Sequence, residues 1–316
     1  MKRIRLGIVG LGKIARDQHL PALAASADFE LAGVASPEGE LAGVPCRKSL
    51  IELLEAVPKL EAVALCTPPQ ARFESARLAL EQGLHVLLEK PPCVTVSEAR
   101  ELQAIARRNR VALFAAWHSR YAPAIDPARA WVEQHPLQSV AVVWKEDVRV
   151  WHPGQAWIWR SGGLGVFDPG INALSILTHI VRGPLALRQA QLRFPSNCET
   201  PIAAHLSLHA APDVAIEMEL DFLHSGRQQW DMSFTAAAGR CVLSMGGSGM
   251  HVDGVLRPLS ASAEYPALYA RFAALVREQA IDCDLTPLEL VADAFLCGQR
   301  IEVAPFIDEL PGVQTP

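Results

Sequence analysis

The sequence from residue 4 to residue 15 reads Ile-Arg-Leu-Gly-Ile-Val-Gly-Leu-Gly-Lys-Ile-Ala, and this stretch decides the fold. Its first six residues predict a buried β-strand, and Gly10, Gly12 and Ala15 then form a Gly-x-Gly-x-x-Ala pattern. In such a loop the first glycine permits a tight turn, the second lets the backbone approach a pyrophosphate, and the alanine keeps the next helix close to the sheet. Free N–H groups at the helix start then face the anion. We therefore predict a dinucleotide-binding loop; the alternative is a tight turn without a ligand.

Strand and helix patterns alternate through residues 1–120, which predicts a doubly wound parallel sheet, an α/β Rossmann domain. The predicted strands after the first are residues 29–35, 62–65, 85–88 and 111–116, and the predicted helices are residues 49–57, 73–83 and one that begins with the capping box Thr95-Val96-Ser97-Glu98.

Residues 121–316 have a different pattern, in which strand-like runs follow one another with few helices between them. The runs are residues 139–149, the region around Leu192, and residues 203–209, 214–222, 229–236 and 241–245, with one helix near 168–181 and two helices closing the chain. We expect an α+β domain with a mostly antiparallel open sheet. The last helix, at about residues 286–300, is expected to pack back on the first domain.

The composition of the 316-residue chain excludes several classes of protein. A net charge of −5 leaves no basic field for nucleic acid, and no apolar run approaches the roughly 20 residues of a membrane span. Glycines break the apolar start, so it is interpreted as a strand and not as a signal peptide. Seven scattered cysteines form no metal-binding spacing and suit a reducing compartment, so we expect a cytoplasmic protein without a metal.

A charged pair and two prolines, Glu89-Lys90-Pro91-Pro92, end the strand that starts at residue 85. Proline cannot continue the strand ladder, so the chain turns there, and Lys90 is placed at the carboxyl edge where open α/β sheets bind ligands. We predict that Lys90 transfers a proton; the alternative is a surface ion pair with Glu89. Glu89 is expected to anchor the turn, and the Lys90–Pro91 peptide bond is expected to be cis.

The second strand runs into Ser36-Pro37, with Glu38 and Glu40 beyond. An acidic residue at the strand end would bind the ribose 2′-hydroxyl of NAD, whereas a serine can bind either a hydroxyl or a phosphate. The choice between NAD and NADP therefore stays open. The residues predicted to bind the cofactor are Gly10, Gly12, Lys13, Ile14, Ser36, Cys66, Thr67, Pro68, Glu89 and Lys90.

Separated segments together resemble the Gfo/Idh/MocA oxidoreductase family over essentially the whole chain. They are residues 10–21, 89–91, 117–120, 144–149, 151–155 and 162–175. In that family a Glu-Lys-Pro motif supplies a catalytic lysine, and an Asp-x-x-x-His motif supplies its partners. Here Asp168 is followed by Asn172 in place of the histidine, which argues against an inositol dehydrogenase. The segments, with this asparagine, look like bacterial aldose 1-dehydrogenases of the L-arabinose and D-galactose type.

The resemblance implies oxidation of the anomeric carbon of an aldopyranose to a lactone, with hydride transfer to NAD or NADP. It implies catalytic roles for Lys90, Asp168 and Asn172, and sugar contacts for His118, Glu146, Trp151 and Trp230. Each role has a structural alternative. Asp168 would be only the N-cap of a helix that begins at Pro169, the two tryptophans would be core residues, and His118 would be a hydrogen-bonded histidine at a strand end. We leave His19, His179, Trp157 and Trp159 as structural residues.

Two other functions compete with this hypothesis. One is a dehydrogenase of the same family acting on a dihydrodiol or an inositol, and the other is a non-catalytic, cofactor-binding regulator. Intact Lys90 and Asp168 weigh against the regulator. An open sheet with few helices should also leave one apolar face uncovered, so we expect a homodimer, or a tetramer, formed through the C-terminal sheet.

Overall fold

A computed structural model describes residues 2–37, 39–211, 213–261 and 263–308. Its strands are β1 (Ile4–Val9), β2 (Phe29–Ala35), β3 (Cys46–Arg47), β4 (Ala62–Leu65), β5 (His85–Glu89), β6 (Leu113–Ala116), β7 (Leu137–Lys145), β8 (Leu185–Pro195), β9 (Ala203–Ala210), β10 (Val214–Asp221), β11 (Gln229–Ala236), β12 (Gly239–Ser244), β13 (Gly249–Val252), β14 (Val255–Leu256), β15 (Ile281–Asp282) and β16 (Gln299–Val303).

The α-helices alternate with these strands in the first part of the chain and become sparse afterwards. They are α1 (Leu20–Ala24), α2 (Leu50–Ala56), α3 (Phe73–Glu81), α4 (Val96–Asn109), α5 (Ile125–Gln134), α6 (Val148–Trp151), α7 (Phe167–Ile180), α8 (Glu264–Glu278) and α9 (Thr286–Cys297). A π-helical turn, Ala15–His19, leads directly into α1.

The chain divides into two compact units, each built from two segments. The first unit comprises residues 1–121 and 263–285, and the second comprises residues 122–262 and 286–316. We expected the last helix, at about 286–300, to join the first domain. Instead α8 and β15 belong to the first unit and α9 belongs to the second, because α8 packs on α1 and β6 whereas α9 packs on α7 and β8.

The first unit is a Rossmann domain, as predicted. Its parallel sheet has the strand order β15-β6-β5-β4-β1-β2-β3. Every residue of β4 and β6 is buried, as expected for a parallel sheet that helices cover on both faces. The carboxyl ends of β1, β2, β4 and β5 lie together at one edge of the sheet, which places the glycine loop, Ser36, Thr67 and Lys90 at that edge.

Local capping signals in the first unit agree with the sequence patterns. The predicted capping box is present, with the Thr95 side chain accepting from the Glu98 N–H and the Glu98 carboxylate accepting from the Thr95 N–H. The predicted strand at 111–116 begins two residues late. Arg110 adopts a left-handed φ of 54°, and the Val111 N–H donates to the Ala106 carbonyl, so residues 110–111 still close the helix.

The second unit contains a mixed sheet with the strand order β14-β13-β12-β11-β7-β10-β9-β8-β16. Most neighbours in this sheet are antiparallel, as predicted, but β7 pairs with β10 and β8 pairs with β16 in parallel. β16 follows α9, so the prediction that two helices close the chain was wrong. A five-residue edge strand with half-exposed side chains carries little periodic signal.

The strand predicted at 139–149 was too long, because β7 ends at Lys145. Asp147 stops the strand by capping the short helix α6. Its carboxylate accepts the Arg149 N–H at 3.0 Å and forms two further hydrogen bonds with the Arg149 guanidinium. This change of direction places Trp151 and His152 beside the end of β7 instead of along it.

The open face of the second sheet is polar, which contradicts the apolar face that motivated our expectation of a homodimer. Alternate residues of β10 are buried or exposed, and the exposed ones include Glu217 and Glu219. Glu217 pairs with His205 and accepts from Ser207, while Glu219 pairs with Lys145 at 2.6 Å. The oligomeric state therefore stays a prediction.

No helix among residues 2–37, 39–211, 213–261 and 263–308 is long and apolar enough to cross a membrane. The same ranges contain no cluster of histidine, cysteine and acidic side chains that could hold a metal ion. All seven cysteines are free thiols.

Candidate active site

The glycine loop of the first unit has the geometry that a pyrophosphate requires. Gly10 has a φ of 91°, and a Cβ on it would lie 2.8 Å from the Thr67 backbone nitrogen, so only glycine is tolerated there. A Cβ on Gly12 would meet nothing within 4 Å, so the backbone is open on the side where a ligand would approach. Lys13 is exposed and forms an ion pair with Asp17, one turn later.

The ends of β2 and β4 supply further polar groups at the same edge. Ser36 Oγ accepts the Leu11 N–H at 3.4 Å, which ties the end of β2 to the glycine loop. The Thr67 hydroxyl oxygen is buried and has no hydrogen-bond partner among the described residues. A buried hydroxyl without a hydrogen-bond partner costs free energy. Thr67 therefore fits a ligand that forms a hydrogen bond with this hydroxyl. The adjacent Cys66 is buried, and Glu38 lies outside the described residues.

The predicted turn at Lys90 is present at the end of β5. The Lys90–Pro91 peptide bond is cis, as predicted. Glu89 is 3% exposed, and its Oε2 accepts the Lys90 N–H at 3.0 Å, so Glu89 anchors the turn as expected. Lys90 itself is half-buried at the carboxyl edge of the sheet.

A buried arginine that the sequence analysis missed also holds this turn. Arg72 is 2% exposed, and its guanidinium donates to the carbonyl oxygens of Thr67, Glu89 and Pro91. It therefore joins the ends of β4 and β5 through their backbone carbonyl groups. Arg72 is the N-cap residue of α3, and its carbonyl partners give no local sequence signal that distinguishes it from a surface arginine.

Glu89 also belongs to a buried polar cluster that the sequence analysis assigned no function. Glu89 Oε1 accepts from His19 Nε2 at 2.9 Å and from the Tyr265 hydroxyl at 2.8 Å, and His19 Nδ1 lies 2.7 Å from the Tyr269 hydroxyl. Burial alone would raise the pKa of Glu89, but the hydrogen bond and charge of His19 lower it to about 2. Burial likewise opposes charge on His19, yet Cys66, Tyr269 and Glu89 raise its pKa well above the usual value. The Glu89–His19 pair is therefore an ion pair directly behind the Lys90 turn.

His118, which we predicted to bind the sugar, follows β6 in the same unit. Its Nδ1 lies 2.8 Å from Glu264 Oε2, and its ring stacks on Tyr265 with centroids 5.5 Å apart. His118 therefore has a carboxylate partner, as the structural alternative requires, and its role toward a substrate stays a prediction.

In the second unit, Asp168 and Asn172 lie one turn apart at the start of α7. The helix begins at Phe167 with Val166 as its N-cap, so the alternative in which Asp168 is the N-cap was wrong. Asp168 is 3% exposed, and its own N–H donates to the Gly165 carbonyl. The two side chains share one face of the helix, since residues four apart are neighbours there.

Two tight approaches fix the start of α7. Gly165 has a φ of 54°, and a Cβ on it would lie 2.2 Å from the Pro201 carbonyl oxygen. Gly170 packs against Leu220 of β10, where a Cβ would come within 2.6 Å of a methyl carbon. These glycines let α7 approach the sheet closely and so hold Asp168 in place.

Glu146 directly follows β7 and is 3% exposed. Its Oε2 accepts the indole N–H of Trp230 at 2.8 Å, and its Oε1 lies 3.2 Å from His152 Nε2. His152 Nδ1 in turn lies 3.7 Å from Asp168 Oδ2. The structure thus brings three of the predicted residues together through a histidine to which the sequence analysis assigned no role.

The tryptophans near Glu146 are not core residues. Trp151 is 39% exposed, and Trp230 is half-buried with its ring 4.9 Å from that of Trp151. Trp144, the cross-strand partner of Trp230, is the buried member of this group, and the two rings stack with centroids 6.0 Å apart. A buried carboxylate beside partly exposed indoles suits a ligand with hydroxyl groups on one side and C–H groups on the other.

Comparisons with known proteins identify the family. The model of an oxidoreductase family with an NAD-binding Rossmann fold, the Gfo/Idh/MocA family, matches residues 4–116. Galactose 1-dehydrogenase of Pseudomonas fluorescens is 46% identical over 308 residues, which cover 98% of this chain and all of that protein. The chain belongs to the Gfo/Idh/MocA oxidoreductase family.

Solved structures agree with the fold. The crystal structure of D-galactose-1-dehydrogenase from Rhizobium etli superposes with a TM-score of 0.93 at 49% identity, covering 97% of this chain and 99% of that one. A 3-ketoreductase from Actinomadura kijaniata, in complex with NADP, gives a TM-score of 0.85 at 20% identity, covers 96% of this chain and all of that one, and supports the fold alone.

As a member of the Gfo/Idh/MocA family, the chain is an oxidoreductase that uses NAD or NADP. The open backbone at Gly12 and the unpaired Thr67 hydroxyl fit a dinucleotide, and Ser36 would lie near its ribose.

Proposed function

We propose that this protein is an aldose 1-dehydrogenase, which oxidises C1 of an aldopyranose of the D-galactose or L-arabinose type to the lactone. The observation that carries the proposal is the buried Glu146 carboxylate, held between the Trp230 indole and His152 at the same site as Asp168. Likeness to galactose 1-dehydrogenases over the full chain supports the same substrate class.

Oxidation of a hemiacetal requires the C1–H bond to break with its electron pair and the O1–H bond to break as a proton. When bound, the nicotinamide cofactor supplies the hydride acceptor. Lys90 accepts the O1 proton, and the C1–O1 double bond of the lactone forms. Asp168 takes part in proton transfer as a carboxylate, while Asn172 holds O1 or O2 with its amide.

Recognition of the sugar falls to the remaining predicted residues. Glu146 accepts hydrogen bonds from ring hydroxyls, because an ionised carboxylate offers acceptors alone. Trp151 and Trp230 contact the C–H face, and His118 contacts a further hydroxyl. D-Galactose and L-arabinose share their configuration around the ring and differ at the C5 substituent, so one site accommodates both.

One assay tests the proposal. Aldoses, inositols and a dihydrodiol are each incubated with NAD or NADP, the reduced nicotinamide is followed by its absorbance, and the product is trapped with hydroxylamine to detect a lactone. We expect turnover with D-galactose or L-arabinose and a hydroxamate from the product. Turnover of inositols or the dihydrodiol alone, or of no substrate, would contradict the proposal.

Two further expectations accompany this function. The seven free thiols suit a reducing, cytoplasmic environment. The interface of a homodimer formed through the second sheet would be the polar face of that sheet. This face carries Lys145, His205, Glu217 and Glu219. Sedimentation at micromolar concentration in low and high salt tests the dimer; a monomer in both would contradict it.

A further inference from the structure

His152 lies between two buried carboxylates of the second unit. Its Nε2 is 3.2 Å from Glu146 Oε1, and its Nδ1 is 3.7 Å from Asp168 Oδ2. Both carboxylates are nearly inaccessible, whereas the imidazole side chain is 18% exposed. The two nitrogens lie on different edges of the ring, so one histidine faces both acids at once.

The position of the ring is fixed from two directions. His152 is the C-cap of α6, and its N–H donates to the Val148 carbonyl at 2.7 Å. Its ring packs against Phe222, with centroids 5.6 Å apart, at the end of the neighbouring strand β10. The backbone and the sheet together therefore hold the imidazole in the gap between the acids.

The hydrogen-bonding chemistry makes this arrangement directional. Ionised Glu146 and Asp168 can only accept hydrogen bonds, and a neutral imidazole carries a single N–H. With one N–H, the imidazole of His152 donates toward one carboxylate only, and the tautomer decides which one; with two, it donates toward both. The ring thus lies within 4 Å of both carboxylates, and its N–H groups determine which of them it serves.

We propose that His152 is a positioning residue that couples Glu146 to Asp168, so that binding of a sugar hydroxyl at Glu146 orients the Asp168 carboxylate for proton transfer. The proposal rests on the proposed function, because that function assigns sugar binding to Glu146 and proton transfer to Asp168. His152 thereby adds to the site a histidine that comes from the turn after β7, and not from the Asn172 position on α7.

Three substitutions distinguish coupling of Glu146 to Asp168 through His152 from a purely structural role of His152 as the C-cap of α6. His152→Asn keeps a polar group near the position of Nδ1, toward Asp168, and His152→Gln keeps one near the position of Nε2, toward Glu146. His152→Ala removes both. The alanine variant should lower kcat by about 10- to 100-fold, since misplacing a reacting group by about 1 Å costs that much, and should also raise KM for the sugar.

The two amide variants should each correct a different part of the kinetic defect of His152→Ala. His152→Asn should restore mainly kcat, and His152→Gln should restore mainly KM. If all three variants show the same kcat and KM, or differ from wild type only in thermal stability, His152 is merely a structural cap and the proposal is wrong. His205→Asn is the matched control, because His205 pairs with Glu217 on the open sheet face and should keep wild-type kinetics.

A second measurement distinguishes failure of this coupling from failure of the proposed function. The full-length protein is labelled with 15N-histidine, and His152→Ala assigns the ring signals. Glu146→Gln and Asp168→Asn should each shift both ring nitrogens of His152 without any sugar present. Unchanged signals in either variant overturn the coupling, whatever the aldose assay shows; shifted signals in both support it, even if the substrate proves to be another alcohol.

Discussion

The imidazole of His19 lies 2.9 Å from the carboxylate of Glu89, a residue 70 positions later in the chain, and both side chains are almost completely buried. Tyr265 and Tyr269 complete the hydrogen bonding of the pair. This buried pair lies behind the turn that carries Lys90, the proposed base. The turn is therefore held both by the ion pair of Glu89 with His19 and by the hydrogen bonds from Arg72 to backbone carbonyls.

The pH dependence of stability should report this pair. The pKa of Glu89 in the folded protein is about 2, below its unfolded value near 4.5. Its contribution to the free energy of unfolding is therefore complete above about pH 4.5 and is lost as the pH falls toward 2. The raised pKa of His19 acts oppositely: its contribution is complete below about pH 6.5 and is lost as the pH rises through the folded value. The free energy of unfolding, measured with urea from pH 3 to pH 9, should therefore be raised most by this pair between about pH 4.5 and pH 6.5.

Glu89→Gln should lower the free energy of unfolding at pH 6 by about 3–5 kcal/mol, because it leaves a charged histidine buried without its partner. It should also flatten the acid limb of the pH profile. Asp17→Asn removes an exposed ion pair in the same unit and serves as the control. A Glu89→Gln protein as stable as this control would show that the pair does not stabilise the fold.

Lys90→Ala should abolish proton transfer and leave cofactor binding intact. General base catalysis contributes about 10²–10⁴-fold, so kcat for the aldose should fall by that factor. The Kd for NAD(P), measured by protein fluorescence, and the melting temperature should match wild type and the control Lys59→Ala. If kcat stays within about tenfold of wild type, another group is the base.

Ser36→Asp should shift the cofactor preference toward NAD. A carboxylate at the end of β2 would accept from the ribose 2′-hydroxyl of NAD and repel the 2′-phosphate of NADP. We expect the Kd for NADP to rise by about tenfold or more, as a like-charge contact costs at least 1.4 kcal/mol, with little change for NAD. Ser49→Asp adds the same charge at the N-cap of α2 and should alter neither Kd. Equal changes for both cofactors would place Ser36 away from the 2′ position.

Trp230→Phe should weaken sugar binding more than it slows the reaction. The variant keeps an aromatic ring but removes the N–H that donates to Glu146 at 2.8 Å. A hydrogen bond to a charged group is worth about 1.5–3 kcal/mol, so KM for the aldose should rise by roughly 10- to 100-fold. Trp131→Phe, on α5 and stacked on His135, is the control. An unchanged KM would show that Glu146 does not need Trp230 to bind the sugar.

Local patterns predicted the elements and residues that depend on neighbouring sequence. The glycine loop, the Thr95–Glu98 capping box and the turn at Lys90 each follow from steric or hydrogen-bonding rules over a few residues. The fold class followed from the alternation of strands and helices, since a parallel sheet requires crossover helices.

Residues whose partners lie far away in sequence could not be predicted in this way. Arg72 binds carbonyl groups, which every residue carries, so its partners leave no trace in the sequence. His19 meets Tyr269 across 250 positions, and His152 meets Asp168 only because β7 ends early and α6 turns the chain. The assignment of α8 to the first unit likewise depends on packing and not on its own amphipathic pattern.

The two-segment construction of the first unit imposes an order on its biosynthesis. Residues 1–121 emerge from the ribosome long before residues 263–285, which carry Tyr265 and Tyr269. Until then the nascent Rossmann sheet lacks β15, and the carboxylate of Glu89 lacks one of its donors. The dinucleotide domain is thus completed only after the whole of residues 122–262 has been translated.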